Sequence, residues 1–320
     1  MPLSWDPEVA EAFKPVAALF NARPAAPVHD VETRRAAMAA FSIPHIHNPA
    51  VKVTVHEVEL VGGDTIQVHA FEKNSPGSDA LVPAVIHSHG GGMIAGDITF
   101  AASGIQAYVE STGVSFFSVE YRLAPENTDT GLVEDVYAGL LWLHQNAGQF
   151  NVDPTRIGVM GESAGGGIAA GVALMARDKG LSPPLAKQIL VYPMLDDRNC
   201  KSVRELEATG LIWSFADNLT GWGAVLGKDR AGDPDADVSY FAVPARAKSV
   251  AGLPSTYIDV GGLDIFRNED MAYASRIAAE NIDVEFHVYP GVPHGWELFA
   301  SKTQSAIRAT ANRARALMSF

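Results

Sequence analysis

Apolar and polar residues alternate with period two over 51–60 (Val51-Lys52-Val53-Thr54-Val55-His56-Glu57-Val58-Glu59-Leu60) and again over 65–71, with Gly62-Gly63-Asp64 between them. The two runs predict a β-hairpin. Downstream the pattern changes to near-continuous apolar runs at 84–87, 114–119, 157–160, 188–192, 256–260 and 284–289. Strands apolar on both faces are those of a parallel sheet covered by helices on both sides. Helical spacing fills several gaps: 131–146, with Leu132, Val136, Leu140, Leu141 and Leu143, then 165–179, 268–280 and 304–318. Before the hairpin, Val9, Phe13, Val16, Ala17 and Phe20 recur at helical spacing until Pro24 and Pro27, and 32–41 reads as a second short helix. Residues 200–250 interrupt the rhythm. There Leu211-Ile212-Trp213-Ser214-Phe215 and Trp222-Gly223-Ala224-Val225-Leu226 are apolar pieces in a stretch rich in Gly, Asp and Pro. The expected architecture is one α/β domain over residues 1–320. Its mostly parallel sheet has about eight strands with helices on both faces, and a helical lid from 1–48 and 200–250 covers the strand ends.

Composition narrows the partners more than the fold. The 320 residues are long for one domain but within the range of α/β domains. A net charge of −13 argues against a nucleic-acid partner, which needs clustered Lys and Arg. Cys200 is the single cysteine, so an intrachain disulfide and a thiolate metal cluster are excluded. The opening Met1-Pro2-Leu3-Ser4-Trp5-Asp6-Pro7 lacks the basic and apolar regions of a secretory signal, and no apolar stretch approaches a membrane span. A cytoplasmic protein without membrane insertion is expected.

Two motifs carry chemistry. Gly161-Glu162-Ser163-Ala164-Gly165 follows the apolar run 157–160, and His89-Gly90-Gly91-Gly92 follows 84–87. The first places a hydroxyl nucleophile on a sharp strand-to-helix turn; the second offers backbone N–H groups for a developing oxyanion. A serine hydroxyl needs a base, itself oriented by a carboxylate. On this fold the order is Ser, then acid, then His. Asp264 lies just past the run 256–260, and His294 follows 284–289 within Pro290-Gly291-Val292-Pro293-His294-Gly295. Asp259, Glu269 and Asp270 compete for the acid role. Asp259 falls inside a strand, and Glu269 and Asp270 read as first-turn helix acids favoured by the dipole. His87-x-His89 places two imidazoles on one strand face, which alone suggests a metal, but no carboxylate lies nearby in sequence. His45 and His47 read as solvated lid residues, and Trp213, Phe215 and Trp222 as lid packing.

At this point the chain resembles the hormone-sensitive lipase family of α/β-hydrolases, carboxylesterases with an HGGG loop. The resemblance covers roughly 80–300 and rests on His89-Gly90-Gly91-Gly92, Tyr121-Arg122-Leu123-Ala124-Pro125-Glu126, Gly161-Glu162-Ser163-Ala164-Gly165-Gly166, Tyr192-Pro193, Gly262-Leu263-Asp264 and Pro293-His294-Gly295. It implies an α/β-hydrolase fold and hydrolysis of short- to medium-chain carboxylic esters without a metal or organic cofactor. It assigns Ser163, Asp264 and His294 to the triad, and the N–H groups of Gly91, Gly92 and Ala164 to the oxyanion hole. His89, Gly90, Glu126 and Glu162 support the motifs, and the 121–126 stretch supports the active-site loops through buried charge pairs. Homodimers are common in the family. The chain departs from the family pattern at Met93, often an aromatic residue, and at Glu162, commonly Asp. It departs again at Asn127-Thr128, usually His-Pro, and at Ile265, often Pro. The same triad serves amidases, lactonases and acyltransferases. The gibberellin receptors share the fold as non-catalytic binders but lack the histidine.

Overall fold

The alternating segments pair as antiparallel strands β1 (Val51–Glu59) and β2 (Thr65–Lys73), with Val51 opposite Lys73 and Glu59 opposite Thr65. The apolar runs become β3 (Val82–Ser88), β4 (Ser115–Glu120), β5 (Val152–Glu162), β6 (Lys187–Val191), β7 (Ser255–Gly261) and β8 (Val284–Tyr289). All join one sheet in the order β1-β2-β4-β3-β5-β6-β7-β8. From β4 to β8 every neighbouring pair is parallel, and β2 meets both β1 and β4 antiparallel. This computed structural model describes residues 3–21, 26–40, 47–74, 80–210 and 212–320; Pro24, Phe41, His45 and Leu211 of the sequence reading lie outside them.

The helices are α1 (Pro7–Asn21), α2 (Val31–Ala39), α3 (Ile98–Thr112), α4 (Gly131–Asn146), α5 (Ala164–Asp178), α6 (Arg204–Glu207), α7 (Phe215–Leu226), α8 (Arg267–Ala279), α9 (Glu297–Ala300) and α10 (Gln304–Leu317). Helix α4 has the predicted bounds. Helix α3 is an addition to the sequence reading: its β-branched, aromatic, Ser and Gly residues give it poor intrinsic propensity. It is helical because Ile98, Ala102, Ile105 and Val109 bury one face, while Asp97 caps its start and Gly113, at φ 74°, its end. Strand β5 begins five residues before the apolar run, at Val152 opposite Val82. Asp153 and Pro154 interrupt the apolar pattern there, so the run alone does not extend the strand back to Val152.

Central placement of β5 decides where the chemistry sits. The strand is flanked by β3 and β6, and α5, which follows it, is buried from Ala164 through Ala176. The small residues along α5 let its backbone approach the neighbouring segments closely. The loops leaving β3, β5, β7 and β8 emerge at one edge of the parallel sheet, the carboxyl ends of the strands, where open α/β sheets place their sites. Hydrogen bonds tie the N-terminal region to the 200–250 segment, among them the His29 N–H to Thr220 Oγ1 (2.9 Å). Trp5 Nε1 donates to the Thr209 carbonyl (2.7 Å), and Arg34 Nε donates to Asp217 (2.8 Å).

Candidate active site

Ser163 sits between β5 and α5 with φ 58° and ψ −121°, a backbone state costing a non-glycine residue on the order of 1–3 kcal/mol. Three hydrogen bonds over-determine it. Ser163 N–H donates to Val191 (2.9 Å), and its carbonyl accepts from Met194 (2.9 Å) and Gly167 (3.1 Å). The motif glycine Gly165 is needed for space: a β-carbon there would lie 2.0 Å from the Ser88 carbonyl oxygen. The sharp turn therefore lifts the Ser163 hydroxyl above the sheet edge while its backbone is clamped between β3 and β6.

His294, past β8, brings Nε2 to 2.9 Å from Ser163 Oγ, and its Nδ1 lies 2.6 Å from Asp264 Oδ2. A carboxylate only accepts, so Nδ1 carries the proton and Nε2 is the acceptor facing the serine. Asp264 is buried, and its other oxygen accepts the Phe266 N–H (2.9 Å). The imidazole lies edge-on to Tyr192 (4.6 Å) and to Phe266 (5.3 Å), which fixes its plane. Ser163, Asp264 and His294, far apart in sequence, thus form one hydrogen-bonded chain.

The rival acids have other partners. Asp259, inside β7, is held by Arg313 through two hydrogen bonds (2.7 and 2.9 Å) and accepts the Tyr257 hydroxyl (2.8 Å). Glu269 is more than a helix-dipole acid: it is buried and accepts the N–H groups of Leu195 and Asp196 (2.7 and 3.0 Å), bracketing the loop after β6. Burial holds its carboxyl well above the usual range. Asp270 is fully buried as well, against its reading as an ordinary first-turn acid.

Gly91, Gly92 and Met93 follow one another with φ of 127°, 64° and 67°. This turn brings the backbone around beside the serine, and Ala164 opens α5 next to it. Among the described residues, no protein acceptor engages the N–H groups of Gly91, Gly92 or Ala164. Free donors beside a nucleophile are what an oxyanion hole requires. The turn is closed by the N–H groups of Ile94 and Ala95 on the Gly91 carbonyl (3.2 and 3.0 Å) and by Ala124 N–H on the Met93 carbonyl (2.9 Å). Trp213 leans on it: a β-carbon at Gly92 would meet the indole Cη2 at 2.2 Å. Phe215 and Trp222 are buried, whereas Trp213 is half-buried against the turn.

The supporting residues resolve into separate duties. His89 stacks on Tyr121 (4.3 Å), and its Nδ1 donates to the Gly90 carbonyl (2.7 Å); the Tyr121 hydroxyl donates to the His89 carbonyl (2.8 Å). His87 lies instead between Ser118 Oγ (2.8 Å) and Glu162 (2.9 Å). The carboxylate that the sequence neighbourhood lacked is thus supplied from β5. No group of three or more His, Cys, Asp or Glu side chains among the described residues is arranged to hold a metal. Burial pushes the Glu162 carboxyl up, but His87 and Arg313 outweigh it and hold it below the usual range. Glu126 is not among the buried charges expected of the 121–126 stretch. Its side chain is 63% exposed and bonded to Arg35, which holds its carboxyl at about 2. The protected ion pair of that stretch is Arg122 with buried Asp135 (2.8 Å).

Sequence reasoning missed two arginines. Arg35, on α2, reaches the turn after β3 at the Ile94 carbonyl (2.7 Å). Arg313, on α10, is buried and joins Asp259 to Glu297 (2.6 Å), which in turn accepts the Tyr192 hydroxyl (2.8 Å) beside His294. A signal for Arg313 existed: it shares one face of α10 with buried Ala306, Ala309 and Ala316. An arginine in an apolar stripe asks for a buried partner.

The sheet order, the elbow and the loops at the strand ends define the α/β-hydrolase class, and the family model described as the alpha/beta hydrolase fold matches residues 85–298. The chain is 34% identical over 233 residues to esterase LipI of Mycobacterium tuberculosis, covering 72% of this chain and 71% of that one. It is 30% identical over 295 residues to carboxylesterase NlhH of the same organism, covering 90% and 88%. A solved bacterial heroin esterase superposes with a TM-score of 0.87 at 33% identity, covering 98% of this chain and 97% of the other. Within the α/β-hydrolases, this chain belongs to the hormone-sensitive lipase type of HGGG carboxylesterases. No helix of the described residues is long and apolar enough to cross a membrane.

Proposed function

We propose that the protein hydrolyses carboxylic esters of short or medium acyl chain through an acyl-enzyme on Ser163. The observation that carries this reading is the hydrogen-bonded chain from Ser163 Oγ through His294 to Asp264, at 2.9 and 2.6 Å. Ser163 Oγ attacks the ester carbonyl as His294 Nε2 takes its proton. The proton then passes to the leaving alcohol, and Asp264 stabilises the imidazolium throughout. The N–H groups of Gly91, Gly92 and Ala164 receive the oxyanion, each such donor contributing on the order of 3 kcal/mol at the transition state. A water activated by His294 then attacks the acyl-enzyme and releases the acid. Ester as the substrate class is supported by the names of the relatives, an esterase, a carboxylesterase and a heroin esterase. Helices α1 and α2 with the 200–250 segment form the lid in this reading, and Trp213 is its wall against the oxyanion turn. A receptor role is disfavoured by His294 standing on the serine.

Initial rates on p-nitrophenyl esters from acetate to palmitate test the proposal beside Ser163→Ala. Turnover is expected to peak at short or medium chains and to fall in the variant by about 10⁴-fold or more, without loss of folding. More than a few percent of wild-type turnover in Ser163→Ala would remove Ser163 from the mechanism. A folded wild type that cleaves no ester, yet cleaves amides or transfers acyl groups, would move the assignment to those reactions.

A further inference from the structure

Arg35 touches no member of the triad, yet it gathers three separate stretches of chain around one guanidinium. From α2, its Nε donates to the Ile94 carbonyl (2.7 Å) and its Nη2 to the Ala124 carbonyl (2.9 Å). Nη1 and Nη2 also donate to the two Glu126 oxygens (2.8 and 2.6 Å), and Nη1 reaches Glu32 at 3.3 Å. Ile94 closes the oxyanion turn onto Gly91, and Ala124 closes it onto Met93. The turn has three successive residues at positive φ and belongs to no helix or strand, so its shape depends on what grips its carbonyls.

We propose that Arg35 is a positioning residue for the oxyanion hole: its fork fixes where the Gly91 and Gly92 N–H groups point. The inference rests on reading those groups as the oxyanion donors. The rigid planar fork suits the task, because it meets carbonyls on two loops and a carboxylate at once. A lysine ammonium is a single point charge on a flexible stem and cannot hold all of these acceptors in place. Arg34 supplies the contrast. One residue earlier on α2, it donates to Asp217 (2.8 Å) and to the carbonyls of Pro27 and Asp30 (2.8 and 3.0 Å). It docks the helix without touching the turn.

The test compares Arg35→Ala, Arg35→Lys and Arg34→Gln by kcat and KM on the best p-nitrophenyl ester. The rate at which a fluorophosphonate labels Ser163 is measured in parallel. Both Arg35 variants are expected to lose about 10–100-fold in kcat with KM within about threefold, since the donors act mainly in the transition state. Labelling should slow by a similar factor, and added guanidinium should restore part of the rate in Arg35→Ala alone. Arg34→Gln should lower Tm while keeping kcat within about twofold. Unchanged kcat in Arg35→Lys, or equal kcat losses in the Arg34 and Arg35 variants, overturns the inference; Lys serves where Ala fails to fold. A wild type that labels without cleaving esters still tests it through the labelling arm. A wild type that neither cleaves nor labels overturns the reading of the site, and this inference with it.

Discussion

Asp259 and Asp264 share one stretch of chain and differ in what the fold hands them. Asp259 points from β7 into the Arg313 fork, where it holds α10 to the sheet; Asp264, past the strand end, holds His294. Asp264→Asn is expected to lower kcat by about 10³–10⁴-fold at nearly unchanged Tm, because the amide favours the wrong imidazole tautomer. Asp259→Asn should instead lower Tm, by about 3–5 kcal/mol in stability, since Arg313 stays buried with a weakened partner. Steady-state kinetics below both melting transitions check this, and a larger kcat loss in Asp259→Asn would reverse the assignment of the acid. At this scale the meeting of Ser163, His294 and Asp264 in one hydrogen-bonded chain was legible because order and loop position constrain them. The role of Arg35 was not. Its target carbonyls at Ile94 and Ala124 are backbone groups, and every residue carries those.

Among the elements, the hairpin and the buried parallel strands followed directly from period two and from apolar runs. Ala84, Val85 and Ile86 have no other way to be wholly buried on β3. Helix α3 escaped because packing overrides its poor propensity, and the start of β5 because Asp153 and Pro154 interrupt the apolar pattern. The 200–250 segment was harder still. Trp213 and Trp222 carry the same side chain in the same segment, yet one is buried against the body while the other rests on Gly92. Hydropathy does not distinguish those fates, since each depends on which backbone lies opposite. The glycines were more informative. Gly165 is dictated by the Ser88 carbonyl, so the motif records a close approach as well as a turn.

For the molecule as a whole, the buried acids at the start of α8 couple stability to pH. Neither carboxyl oxygen of Asp270 has a hydrogen-bond partner among the described residues. Burial, followed by the charges of Glu269, Asp264 and Asp259, pushes its carboxyl well above the usual range. The folded chain therefore keeps this proton to higher pH than the unfolded chain does. The contribution to stability is complete below the unfolded value of about 4 and is lost as pH rises toward the folded value. Asp270→Asn, neutral at every pH, should raise Tm near pH 7, with an advantage that shrinks toward about pH 4. Thermal melts across that range decide it, and a lower Tm for the variant near neutral pH would show that Asp270 is ionised and stabilising.

Trp213 also makes the site readable by light. Its indole rests on the turn that would receive the oxyanion, whereas Trp296 lies behind Tyr192, which itself packs on His294. Indole emission responds to charge and polarity within a few ångströms, so filling the site should shift or quench the Trp213 emission most among the five indoles. Rapid mixing with an ester that carries no chromophore would then resolve the arrival and departure of the acyl group as two phases in a single emission trace. The same trace should lose most of its amplitude in Trp213→Phe.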